Sequence, residues 1–192
     1  MELSFQPLTV ANWKDFENLF GPKGACEGCW CMSWRLYAAD YKKMKGEGNR
    51  KAIKELVKKS SPGILAYEDK KPVGWCAVAP RKEYIRLENS KVLQPVDDKP
   101  VWSVSCFFIA KEYRRKGLTE LLLKAAVAFA FKKGAKIVEG YPVDVKKGRM
   151  ADVFVWTGLA SVFKKAGFKE TERRSETRPI MRIQKNNPNV RI

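Results

Sequence analysis

Apolar and polar positions along the chain change period several times, and each change marks an element. Leu3 to Val10 alternates as a strand does, and Asn12 offers a cap for a short helix carrying Trp13, Phe16 and Phe20 on one face. Gly21-Pro22-Lys23-Gly24 stops that helix. A second short helix is expected through Trp34, Leu36 and Tyr37, then a basic loop from Lys42 to Gly48. Asn49 is expected to cap an amphipathic helix with Ala52, Ile53, Leu56 and Val57 as its buried stripe, ended by Ser60-Ser61-Pro62-Gly63.

Ile64 to Tyr67 and Val73 to Val78 flank a polar turn and read as an antiparallel hairpin. Residues 80 to 100 form a long connection, and a connection of that length inside a compact domain is commonly a binding loop. Val101 to Ile109 is the most strand-like run, and Gly117 to Phe131 is a helix so rich in Leu, Ala and Phe that it needs cover on more than one side. Lys136 to Tyr141 predicts a strand, Pro142 to Asp152 a loop, and Thr157 to Ala166 a helix capped by Gly167. Phe168 to Arg173 and Ile180 to Ile183 are expected to pair as the last strands, with a fraying tail from Gln184 to Ile192. This order implies an α/β fold: a mixed, largely antiparallel central sheet with helices on both faces. At 192 residues one domain, 1-192, is the expectation.

Charge adds an anionic guest to that picture. Thirty-eight Lys and Arg against twenty-one Asp and Glu give +17, a field that concentrates phosphates, acidic peptides, nucleic acid or an anionic surface. No run is long and apolar enough for a membrane-spanning helix, and the first residues do not read as an export signal, so a cytoplasmic location is expected. In that setting the five cysteines read as reduced thiols. The complete absence of histidine removes the commonest general base, the Ser-His and Cys-His pairs, and every metal site that needs imidazole.

The chemistry concentrates where the Val101 to Ile109 strand feeds the long helix through Arg114-Arg115-Lys116-Gly117-Leu118-Thr119. Such a turn offers an anion the free N–H groups and dipole of a helix start, with Arg114, Arg115 and Lys116 as counter-charge and Gly117 allowing close approach. A pyrophosphate suits it; a solvated basic turn is the bland alternative. Ile109-Ala110-Lys111-Glu112-Tyr113 followed by this turn and Leu121-Leu122-Leu123 resembles the acetyl-CoA motif of the GNAT superfamily, with Thr119 in place of the usual small last residue. Val162-Phe163-Lys164-Lys165-Ala166-Gly167-Phe168 resembles that superfamily's second signature, and Arg178-Pro179-Ile180-Met181-Arg182 its closing strand.

The resemblance implies an acetyl-CoA-dependent N-acetyltransferase, with two splayed parallel central strands, here Val101 to Ile109 and Lys136 to Tyr141. It implies acetyl-CoA as co-substrate, held by Phe107, Phe108, Ile109, Arg114, Arg115, Lys116, Gly117, Leu118 and Thr119. A backbone N–H near Phe107 or Phe108 would steady the oxyanion as an amine attacks the thioester directly. The superfamily's usual carboxylate base, about eleven residues before the turn, falls on Ser103, and its usual tyrosine acid on Phe163. Glu139, Tyr141 and Asp144, at or beyond the end of the second strand, are the other candidates for proton removal, against a plainer role as solvated side chains. The acceptor is an amine on a small molecule or peptide; nucleic acid is not expected as a partner.

Two further readings stay open at this stage: a GNAT-like domain that senses acyl-CoA without turnover, and a basic nucleic-acid-binding module. Cys26-x-x-Cys29-x-Cys31 has the spacing of thiolate ligands but no histidine to complete a zinc site, so no metal is expected and the thiols are read as small pocket-lining groups, with redox sensing as the alternative. Trp30, Trp34, Tyr37 and Tyr41 suggest either an aromatic wall for the acceptor or the core of a short helix. Trp75 and Trp102, on strands, are read as core.

Overall fold

The computed structural model describes residues 2–146, 150–151 and 154–185. Parts of the expected 142–152 loop and most of the expected tail lie outside the described residues. Seven strands form one sheet: β1 (Leu3–Pro7), β2 (Gly63–Glu68), β3 (Lys71–Pro80), β4 (Trp102–Ile109), β5 (Ile137–Gly140), β6 (Lys169–Arg173) and β7 (Pro179–Gln184), in the order β1-β2-β3-β4-β5-β7-β6. Every neighbouring pair is antiparallel except β4 and β5, which run parallel.

That parallel pair is short. Trp102, Ser103 and Val104 face Val138, Glu139 and Gly140, and beyond Val104 the strands no longer pair. A register shift between Ala77 and Val78 leaves Ser105 as an extra residue on β4, a bulge that inverts the alternation of the strand. In consequence Ser103, Cys106 and Phe108 share one face of the sheet, while Val104, Phe107 and Ile109 share the other.

The long apolar helix α5 (Leu118–Lys132) lies with α6 (Ala160–Lys165) on the second face, burying Val104, Phe107, Val138, Leu122, Leu123 and Phe163 in the larger core. α1 (Trp13–Phe20) and α3 (Glu47–Lys59) cover the first face over β1 to β4, through Phe16, Phe20, Ile53 and Val57 against Leu65 and Trp75. Trp75 is fully buried, with Phe16 edge-on at 4.8 Å between ring centres. Trp102 is half-buried and meets Phe129 at 6.1 Å. The 80–100 connection, which holds the single turn α4 (Ile85–Glu88), closes the same face over β5 and β7 by way of Tyr84, Leu87 and Leu93.

Several element ends differ from expectation, among them β1, which stops at Pro7. The short helix forms at α2 (Ala38–Lys43), after the aromatic run rather than through it, and with α3 it shortens the expected 42–48 loop from both sides. α3 begins at Glu47, two residues before Asn49, because Asn49 is wholly buried and gives its amide to the Gly28 carbonyl at 3.0 Å instead of capping. α6 begins at Ala160, since Val143 engages Gly158 and Ala160 in a short parallel bridge that keeps Leu159 extended.

Candidate active site

Two features meet at the centre of the sheet: a basic turn at the start of α5 and a gap where β4 and β5 part. The turn departs from β4 through a single 3-10 turn, Lys111–Tyr113, and reaches α5 with Arg115 at φ 62° and Gly117 at φ 81°. Left-handed backbone suits Gly117, and an added Cβ there would meet nothing within 4 Å, so the space beside it is open. Among the described residues no side chain caps α5. Its first N–H groups therefore stay available to an anion, with the helix dipole behind them. Arg114 Nε donates to the Ile109 carbonyl at 3.0 Å, tying the turn to the strand it leaves. Lys116 Nζ sits 5.7 Å from the Tyr113 ring centre, and the Tyr113 hydroxyl donates to Glu68 at 2.5 Å.

In the gap, β4 presents one clear donor. Phe107 N–H points away from β3 and donates to the Trp156 carbonyl at 2.7 Å. Ala110 N–H donates to Val73 on β3, so by strand alternation Phe108 N–H faces β3 too and Ile109 N–H faces the gap. The bulge at Ser105 sets this parity. Sequence spacing leaves Phe107 and Phe108 equivalent; the hydrogen-bond ladder separates them.

Ser103, Tyr141 and Glu139 converge in one buried chain. Tyr141 donates its hydroxyl proton to Glu139 Oε1 at 2.6 Å, and Ser103 Oγ lies 2.7 Å from the same hydroxyl oxygen. With the tyrosine proton committed to the carboxylate, Ser103 is the donor of that second bond. Glu139 is held from both sides: Arg81 Nη1 reaches Oε1 at 2.9 Å and Arg182 Nε reaches Oε2 at 2.6 Å. Arg81 also donates to the Tyr141 hydroxyl and to the carbonyls of Leu87 and Leu93, and Arg182 to Asp97.

Burial and the neighbouring Glu139 carboxylate push the Tyr141 hydroxyl well above its ordinary value, so it stays protonated. Burial opposes the charge on Arg182, but its bonds to Asp97 and Glu139 raise it, and Arg182 in turn holds Asp97 below its usual range. Asp144 stands outside this chain. It pairs with Lys146 at 3.1 Å and Arg173 at 2.8 Å, which keep its carboxyl low. Phe163 fills core, touching the rings of Phe107 and Phe168.

Arg81 and Arg182 are the partners that sequence reading missed. Each lies more than forty positions from Glu139, and nothing in the spacing links them.

The cysteines divide by environment. Cys26 is exposed, Cys29 and Cys106 are half-buried, and Cys31 and Cys76 are buried, with Cys31 accepting the Trp75 indole N–H at 3.2 Å. Among the described residues no group of three or more His, Cys, Asp or Glu is placed to hold a metal ion. Of the four aromatics beside them, Trp30 is core, stacked on Phe20 at 5.7 Å, and Tyr37 is exposed. Trp34 packs on Trp156 at 5.7 Å, with the Arg86 guanidinium 5.6 Å from the Trp34 ring. Burial pushes the half-buried Tyr41 hydroxyl up to about 12. Among the described residues no helix is long and apolar enough to cross a membrane.

The fold is shared with known structures. An N-acetyltransferase, PaiA, from Thermoplasma acidophilum in complex with coenzyme A is 16% identical, covers 96% of this chain and 99% of its own, and superposes with a TM-score of 0.52. A GNAT-family acetyltransferase from Streptococcus agalactiae is 12% identical over 96% of each chain (TM-score 0.57). Another from Listeria monocytogenes is 6% identical, covering 96% of this chain and 95% of that one (TM-score 0.58). No functionally curated protein matches the sequence. The model of the acetyltransferase (GNAT) family matches residues 30–146, a stretch that holds both the gap and the basic turn. With more than half of its length matched by that model and the sheet folded as in its members, this chain belongs to the acetyltransferase (GNAT) family.

Proposed function

We propose that the chain transfers an acetyl group from acetyl-CoA to an amine of a small molecule or peptide, and that residues 1-192 work as one such unit. The observation that carries this reading is the juxtaposition of an uncapped, glycine-opened helix start with a β4 amide aimed into the gap between parallel strands. The turn from Arg114 to Thr119 would hold the pyrophosphate, through backbone N–H groups and through the positive charge of Arg114, Arg115 and Lys116. Ile109, whose N–H faces the gap, would pair with the pantetheine arm, while the Phe107 N–H would bind the thioester oxygen; Phe108 would contribute its side chain only.

The amine nitrogen attacks the thioester carbonyl directly. Charge collects on the carbonyl oxygen, where the Phe107 N–H stabilises it, and the carbon–sulfur bond then breaks to release coenzyme A thiolate. The attacking nitrogen becomes strongly acidic once its new bond to carbon has formed, so a weak base suffices to remove its proton. We assign that task to the Ser103–Tyr141–Glu139 chain, in which each hydroxyl passes a proton toward the one member that only accepts. The chain is closed to solvent, and Ser103, four residues before Phe107 on β4, is its end nearest the thioester. Asp144, neutralised by Lys146 and Arg173, is the weaker candidate.

Coenzyme A thiol release, followed across a panel of amines with acetyl-CoA as donor, tests the reading. Turnover with at least one amine is expected, with Tyr141→Phe lowering kcat more than it raises KM and shifting the pH–rate profile, and Asp144→Asn leaving that profile in place. Binding of acetyl-CoA without turnover on any amine would identify a sensor instead. An unchanged profile in Tyr141→Phe would remove the relay from the account.

A further inference from the structure

On the reading above, the Phe107 N–H is the seat of the acyl carbonyl. In this structure that seat is taken by the chain itself: the Trp156 carbonyl accepts the Phe107 N–H at 2.7 Å. One N–H offers one proton, so the two carbonyls exclude each other. We infer that acyl-donor binding proceeds by displacing the Trp156 carbonyl from Phe107, and that its return helps to release the acetylated amine, which carries the acyl carbonyl once the carbon–sulfur bond has broken.

The contact is built rather than incidental. Once β4 and β5 part at Val104 and Gly140, the 154–160 segment takes the vacated edge: Val143 N–H donates to Gly158 and Ala160 N–H returns to Val143, at 2.8 and 2.9 Å. Arg178 Nη1 holds the Thr157 hydroxyl at 2.8 Å, and Thr157 is buried. Gly158 adopts φ 87° and lies so close to the core that an added Cβ would stand 2.8 Å from the Phe163 ring and 3.1 Å from the Phe107 ring. The Trp156 ring rests on Trp34, which carries Arg86 against it. These anchors fix the segment at Trp156 and just after it, and leave its carbonyl directed at one donor.

The arrangement has a physical rationale. Phe107 is buried, and a buried N–H without a partner is disfavoured, so an empty thioester seat would be a defect in the free protein. The Trp156 carbonyl satisfies it until an acyl oxygen arrives. That substitution taxes donor affinity by the fraction of molecules in which the seat is open. Trp34, in the turns before α2 and lying on the Trp156 ring, supports the closed arrangement from the N-terminal part of the chain.

The decisive experiment is the through-hydrogen-bond coupling between Phe107 15N and Trp156 13C′, measured by NMR on the full chain without acceptor amine. The coupling is expected in the free protein and absent at saturating acetyl-CoA. If it persists while acetyl-CoA is bound, the inference is wrong although the functional reading stands; if acetyl-CoA does not bind, both fall together. Trp34→Ala gives an independent check, since Trp34 is only half-buried and outside the donor site. Loosening one contact of hydrogen-bond size should tighten acetyl-CoA binding about threefold to tenfold by calorimetry. Unchanged or weaker binding in that variant would also overturn it.

Discussion

Glu139→Gln should destabilise the protein by about 3–5 kcal/mol, the range expected when one partner of a buried ion pair is removed. Glu139 is fully buried, and its two oxygens answer Arg81 at 2.9 Å and Arg182 at 2.6 Å while also accepting from Tyr141. Glutamine keeps the shape but turns one oxygen into an NH2 group, which faces a guanidinium donor with another donor. The lost charge leaves Arg81 with the half-exposed Glu88 at 2.7 Å, Tyr141 and two carbonyls, and Arg182 with Asp97 alone. In a chain of this size each kcal/mol moves the midpoint by roughly 2–4 °C, so a fall in Tm of about 6–20 °C is expected. Urea denaturation of Glu139→Gln, Arg182→Met and the double variant measures the effect. The double variant should lose clearly less than the sum of the singles, because removing Arg182 relieves the excess cation. Additive losses, or a Glu139→Gln cost under about 1 kcal/mol, would show that the cluster is solvated and that the reasoning from burial fails.

Gly140→Ala should cost about 1–3 kcal/mol or more, because a Cβ there would stand 2.1 Å from the Phe163 ring, and thermal denaturation would show it. Asp97 and Asp144 both titrate below their ordinary 3.8, held down by Arg182 and by Lys146 with Arg173 respectively. A depressed carboxyl contributes stability that is complete above its unfolded value and lost as pH falls through the folded one. The urea midpoint should therefore be flat above about pH 5 and drop below about pH 4, with the drop reduced in Asp97→Asn. Gly117→Val should abolish acetyl-CoA binding, because its side chain would project into the open space proposed for the pyrophosphate and because valine strains the turn at φ 81°; circular dichroism and calorimetry together separate lost binding from lost fold.

The parts legible in the sequence were those with local causes. The strand–turn–helix from Val101 to Phe131 is specified by a run of apolar residues, a glycine that must take left-handed backbone, and a helix apolar enough to be buried. The parts that were not legible depend on distant partners. Asn49 looks like a cap because caps are local, yet it is spent on the Gly28 carbonyl, which only the fold brings near. Glu139 looks like a base on a strand end, but Arg81 and Arg182 reach it from the long connection and from β7 respectively. Trp156 enters the site through a backbone carbonyl, a group every residue has, so no side-chain pattern could announce it. The distinction between Phe107 and Phe108 rests on one bulge at Ser105 that the apolar run conceals.

The most direct test of the account is calorimetric titration of acetyl-CoA into the wild-type chain and Gly117→Val, paired with coenzyme A thiol release on an amine panel. The account predicts one acetyl-CoA per chain, binding lost in Gly117→Val, and acetyl transfer to at least one amine. No binding to the folded wild-type protein, or binding that Gly117→Val leaves unchanged, would contradict it.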